Sequence, residues 1–316
     1  VLSLGTGKGH NARETCAGIV QSGTISVAIA TEIVDGMFIF CRRVTMQVRK
    51  NKETFSDPVP AHWAGKDALQ SHVLNTLSLM FPAGEAFFIR SVKHFADRVK
   101  DPKMQADIKA FIGQEMQHSM AHERFNQSVA QNVGNMDWFM WLFTVPTFEW
   151  LEPFMRNYLG HEKLHQWALA LTAAAENMTA GFAQSLFQPG ELEKIARPDV
   201  RELYAWHAAE EMEHRDLAFD VFQQVGGDYV TRMSGMAFAY GIIAAYVALG
   251  TGYLVIKDRN FPWSTLPQQL VDLFTKENSL GRVFLEGMVD YLRPDFHPSQ
   301  QPMHPEALAY LEKMAS

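Results

Sequence analysis

The chain has 316 residues, 47% of them hydrophobic, which is enough to bury a large core in one big domain or two smaller ones. Its formal charge of −7, with no basic run beyond the pairs Arg42, Arg43 and Arg49, Lys50, argues against a nucleic-acid partner. The two cysteines, Cys16 and Cys41, exclude a thiolate metal site and argue against a disulfide framework.

Residues 1–18 lack a basic stretch followed by an apolar core, so no signal peptide is read and the cytoplasm is the expected location. "LGTGKGHN" is Gly-rich but lacks P-loop spacing and is read as a loop. "TISVAIATEIV" fits a strand or a helix. The segment 1–56 thus has no assigned structure.

From Asp57 the pattern sharpens. "DPVPAHW" is a Pro-rich entry. Asp67 is the expected N-cap of a helix from Ala68 to about Val99, with Pro82 expected to kink it. "KDPK" at 100–103 stops and restarts the chain, and a second helix runs from about Pro102 to Asn132. Residues 137–158 are aromatic-rich helical pieces interrupted by Pro146 and Pro153. A third long helix spans about Glu162 to Phe187. "QPGELEKIARPD" is a loop, and Asp199 is the expected cap of a fourth helix ending near Val225. Residues 234–256 carry no charge and are long enough to span a bilayer. Their glycines and alanines equally suit close packing in a soluble or dimeric protein. The remainder is a Pro-rich tail closed by a short helix. The expected class is all-α: a four-helix bundle over 57–230, with the apolar helix and tail of 231–316 packed on it, on a partner or on a membrane.

The second helix contains "GQEMQHSMAHERFN". At about 100° per residue, Glu115, His118 and His122 fall on one narrow stripe. The fourth contains "WHAAEEMEHRDLAFD", where His207, Glu211 and His214 do the same. Each stripe holds one Glu-x-x-His. A single such motif is weak, but the other two helices each set a glutamate among apolar residues: Glu85 in "LMFPAGEAFFI" and Glu176 in "LALTAAAENMTAGF". A buried, unpaired carboxylate costs several kcal/mol, so these need partners. Counting residues back from the turns, Glu85 comes level with Glu115, and Glu176 with Glu211. The sequence therefore repeats a hairpin: a helix with Glu, a turn, a helix with Glu-x-x-His. Two hairpins face to face gather four carboxylates and two imidazoles, the ligand set of a dinuclear carboxylate centre.

At "HWAGKDALQSHVLNTLSLMFPAGEAFFIRSV", "FIGQEMQHSMAHERFN" and "WHAAEEMEHRDLAFDV" the chain resembles a bacterial family labelled predicted metal-dependent hydrolase. Its ligand pattern is similar to that of the ferritin-like di-iron proteins. The resemblance covers roughly residues 40–300. It implies six core ligands: Glu85, Glu115, His118, Glu176, Glu211 and His214. His122 or His207 is a candidate seventh ligand, as in di-iron arylamine oxygenases, and otherwise supports the others by hydrogen bonds. Glu210 lies near the stripe, able to replace or support Glu211. Glu213 is expected outside, and Glu149 and Glu152 compete with Glu176 for the fourth carboxylate position.

Such ligands suit two iron ions, with Mn or Zn as alternatives. The expected function is O2-dependent oxidation of a small, apolar organic substrate, with Glu115, Glu211, His122 and His207 as the catalytic candidates and an electron donor of unknown identity. The alternative is a dinuclear hydrolase using metal-activated water. Phe87, Phe88, Phe111, Phe182 and Trp206 are candidate substrate contacts, or plain core. A homodimer is the expected assembly, and 234–256 the candidate membrane contact.

Overall fold

The computed structural model describes the backbone of residues 15–22, 25–34, 37–42, 46–65 and 67–315. "LGTGKGHN" lies outside these residues. The chain divides into two compact units, Val1–Thr45 and Met46–Ser316. In the first, strands β1 (Thr15–Ser22), β2 (Ile25–Val34) and β3 (Met37–Arg42) form an antiparallel meander in the order β1-β2-β3. The ambiguous "TISVAIATEIV" therefore pairs as β2, with Cys16 opposite Thr31 and Ala30 opposite Cys41.

The second unit is built from helices. Four of its long ones form the bundle: α1 (Ala68–Phe95), α2 (Pro102–Val133), α5 (His161–Leu186) and α6 (Pro198–Gln224). Asp67 caps α1 by accepting from the backbone N–H of Gln70 at 2.9 Å, and the helix runs on through Pro82. Asp101 caps α2 with Pro102 in its first turn. The start of α6 differs from expectation. Arg197 is its N-cap and Pro198 takes the first turn, which puts Asp199 inside the helix. Proline needs no N–H partner there, so it fits one position ahead of the acid. Between α2 and α5 run α3 (Asp137–Thr144), a π-helical segment (Val145–Leu151) and α4 (Glu152–Leu159).

α1 packs along α2 and α5 along α6, and the hairpins meet through α1 against α5 and α2 against α6. Alanine makes the close approach possible: Ala170, Ala173, Ala174 and Ala175 of α5 are fully buried. α7 (Tyr229–Lys257) contains the uncharged stretch and lies against α5 and α1. A Cβ added at Gly235 would come within 2.8 Å of Ala170 Cβ, and one at Gly250 within 2.5 Å of the Thr76 methyl, so both glycines are contact points. By length and composition alone α7 could cross a membrane, and 33% of its most apolar window is buried inside the protein. Two short helices unforeseen in the sequence, α8 (Leu266–Thr275) and α9 (Leu280–Tyr291), follow it. The closing helix, α10 (Pro305–Ala315), packs on α6.

Candidate metal centre

Two apolar clusters bracket the middle of the four helices. One holds Phe111, Leu169, Phe219 and Phe222, the other Trp63, Phe125, Leu203 and Trp206. Between them the helices aim inward the residues whose spacing marked them out. Glu85 comes from α1; Glu115, His118 and His122 from α2; Glu176 from α5; His207, Glu211 and His214 from α6. None of these is more than 6% exposed.

Glu211 Oε1 is the hub. It lies 2.9 Å from His207 Nε2, 3.4 Å from His118 Nδ1 and 3.6 Å from His214 Nδ1. His214 Nδ1 is also 2.7 Å from Glu115 Oε1 and 3.6 Å from Glu176 Oε2. One nitrogen or oxygen from each of Glu115, His118, Glu211 and His214 falls within 4.8 Å of the others, and the same holds for Glu85, His118 and His207. Both Glu-x-x-His imidazoles turn Nδ1 inward and tie Nε2 behind. His118 Nε2 is 3.0 Å from Glu210 Oε2, and His214 Nε2 is 3.0 Å from Gln114 Oε1.

His207 is oriented by a chain of hydrogen bonds. Asn126 donates to the Ser78 carbonyl at 2.9 Å, which turns its Oδ1 to accept the Ser78 hydroxyl at 2.6 Å. Ser78 Oγ must then accept from His122 Nδ1 at 2.7 Å, and His122 Nε2 from His207 Nδ1 at 2.6 Å. Burial holds both imidazoles below their ordinary pKa, so both are neutral. The order of donors therefore leaves a bare lone pair on His207 Nε2 facing Glu211 and, at 3.9 Å, Glu85 Oε1.

Charge in the centre is unbalanced. Burial, then the nearby carboxylates, raise Glu85 well above the carboxylate range and Glu176 to about 8. Burial opposes protonation of His118 and His214, but their acid neighbours outweigh it, taking His118 to about 10 and His214 well above its ordinary value. Glu211 is held well below the carboxylate range: its imidazole neighbours, His118 first, overcome its burial. Despite these close ionic contacts, Glu85 Oε1, both oxygens of Glu115 and of Glu176, and Nδ1 of His118 and His214 make no hydrogen bond of good geometry. Buried polar atoms seldom go unpaired, and these converge on one place. Oxygens and imidazole nitrogens in that number fit two divalent transition-metal ions, and thereby pass the chemical test for the expected centre.

The other candidates fall elsewhere. Glu210 is tied to His118 and to Arg49 Nη1 at 3.1 Å, and so supports the centre rather than replacing Glu211. Glu213 is outside, bound to Arg49 at 2.9 Å and to Gln114 at 2.8 Å. Glu149 is exposed and Glu152 lines a cavity; neither joins the cluster that Glu176 joins. Arg49 and Gln114 escaped the sequence reading. The signal lay in Glu210, Glu211 and Glu213: three acids within one turn of α6 need a cation that α6 does not supply.

An apolar cavity of about 180 Å³ meets the centre at Glu85, walled by Phe87, Phe88, Phe148, Met178 and Phe182. A smaller one of about 80 Å³ reaches His207 and Glu211, and Phe81 borders both. Phe111 and Trp206, the other candidate substrate contacts, are fully buried core instead, each with its ring centroid 4.8 Å from His214 and His118 respectively.

A family model described as "Predicted metal-dependent hydrolase" matches residues 47–302. No curated protein and no solved structure matches the chain.

Proposed function

The chain belongs to the family of predicted metal-dependent hydrolases, and from that premise we propose that it is a dinuclear metal enzyme acting on a small, apolar organic substrate. One observation carries the reading: unpartnered donor atoms of Glu85, Glu115, His118, Glu176 and His214 converge, from all four long helices, on the buried Glu211.

In this reading Glu85, Glu115, His118, Glu176, Glu211 and His214 would hold two ions. His207 is the seventh ligand, through its bare Nε2, and His122 fixes its tautomer. Two such ions acidify water that meets them or, as a pair of irons, deliver electrons to dioxygen.

The family description puts hydrolysis ahead of the oxidation expected from the ligand pattern. For hydrolysis the substrate lies in the larger cavity, where Glu85 is the one carboxylate of the centre in the wall. Water enters by the smaller cavity, which has polar residues Gln70, Glu191 and Asn278 in its wall and ends at His207 and Glu211. Glu85 presents Oε1 to the centre, with Oε2 held by the Ser119 hydroxyl at 2.6 Å.

Oxidation by dioxygen is the second reading. The observation favouring it is the phenylalanine-rich cavity against a buried centre, which shields reactive species from water. Loading with ⁵⁷Fe(II) without air, then mixing with O2, decides between them. About two irons per chain passing to a coupled diferric state in Mössbauer spectra establish oxidation. Retention of Zn or Mn without iron oxidation, with turnover in an ester or phosphoester screen, establishes hydrolysis.

A further inference from the structure

The ends of α1 and α5 bring together a second group of imidazoles that the centre does not use. His161 and His165 stand one turn apart at the start of α5, and His94 lies in the last turn of α1. His161 Nε2 and His165 Nε2 are 3.3 Å apart. Two imidazole nitrogens, each about 2.0–2.1 Å from one tetrahedral ion, stand about 3.3–3.4 Å apart. The i, i+4 pair is therefore already spaced for a shared ion.

The ring of His94 stacks on His165, with centroids 3.7 Å apart and planes 14° apart. A nitrogen of each of the three lies within 4.8 Å of the others. His94 Nε2 is buried and has no hydrogen-bond partner. The neighbouring acid, Glu162, is engaged by both terminal nitrogens of Arg98. Burial and the Arg98 charge hold His94 below its ordinary pKa, which keeps its lone pair available.

We infer that His94, His161 and His165 form a solvent-accessible site for a divalent ion of the zinc class, separate from the carboxylate centre. A turn of the His94 ring brings its Nε2 to the pair, and the fourth position stays open to water. Three nitrogens and no carboxylate select Zn²⁺, Cu²⁺ or Ni²⁺ over Mg²⁺, Ca²⁺ or Mn²⁺, the reverse of an oxygen-rich site. Along α5, His165 and Glu176 are separated by about 16 Å at 1.5 Å per residue, so the two sites share no ligand. His165 also lines the larger cavity.

The test is calorimetric titration of Zn²⁺ into the full chain, pre-equilibrated with Mn²⁺, for wild type, His161→Ala and His165→Ala. Wild type should take up one Zn²⁺ more per chain than either variant, or bind it at least tenfold more tightly, with unchanged melting. Identical isotherms overturn the site. Diethylpyrocarbonate labelling of wild type, read by mass spectrometry, gives a check independent of the variants. Zn²⁺ should protect His161 and His165; labelling unaffected by Zn²⁺ overturns the inference.

Discussion

Gln114 Oε1 accepts a hydrogen bond from His214 Nε2 at 3.0 Å, whereas His118, at the matching place in the other Glu-x-x-His, donates to a carboxylate, Glu210, at the same distance. The two inward nitrogens are thus backed by groups of different charge. A carboxylate makes an imidazole a stronger donor than an amide does, and loss of such backing costs about 10–100-fold in metal affinity. Two ions bound here should differ in affinity, the tighter on the His118 side. Glu210→Gln should weaken that ion by about 10–100-fold and leave the other unchanged, as read by calorimetry. An isotherm identical to that of wild type would refute the asymmetry.

Metal-free protein should lose stability as pH rises from 7 to 9. Glu176 and His118 are raised in the folded state to about 8 and about 10, above ordinary values of 4.5 and 6.5. The folded state therefore binds more protons than the unfolded one in this window, and stability falls with pH. His122 and His207 are lowered instead; their contribution fades as pH drops through 6.5 and is flat above 7. Ions displace these protons, so loaded protein should lack the slope, and loading should release protons. Melting in EDTA and in excess metal, at pH 7 and pH 9, checks the sign; a metal-free protein more stable at pH 9 would contradict it.

His207 and His122 should separate on substitution. His207→Ala removes the lone pair aimed at Glu211 and should weaken one ion by about tenfold or more. His122→Ala leaves that atom in place and should retain two ions per chain, with a smaller loss of affinity. Equal metal content and affinity in both variants would remove His207 from the ligand set.

Gly84 lies beside Glu85 in the wall of the larger cavity, and a Cβ there meets nothing within 4 Å. Gly84→Ala should stabilise α1 by about 0.5–1 kcal/mol, the usual cost of glycine inside a helix. Gly84→Leu should fill the cavity, leave metal content intact and suppress turnover of the larger substrates. Unchanged turnover with Gly84→Leu would move the substrate elsewhere.

The four long helices and the inward direction of their acids and imidazoles were legible because a helix repeats every 3.6 residues. Two stripes with the same Glu-x-x-His could be read without any knowledge of their neighbours. What periodicity does not carry is pairing across the chain. Nothing local to Arg49 says that it reaches Glu210 and Glu213, and nothing local to Ser78 and Asn126 says that they set the tautomer of His207. The exchange of Asp199 for Arg197 as the α6 cap has the same origin, a short-range preference settled by the proline between them.

The ion pair of Arg49 with Glu210 joins residues 161 positions apart. Closing so long a loop is entropically late, since local helix hairpins form long before distant segments meet. Until Arg49 arrives, α6 carries Glu210, Glu211 and Glu213 without their cation, and Glu210 cannot be held against His118. The extended segment that carries Arg49 thus acts as a latch on maturation. The hairpins collapse first, and the backing of His118 is completed only when α6 has formed and Arg49 has docked on it.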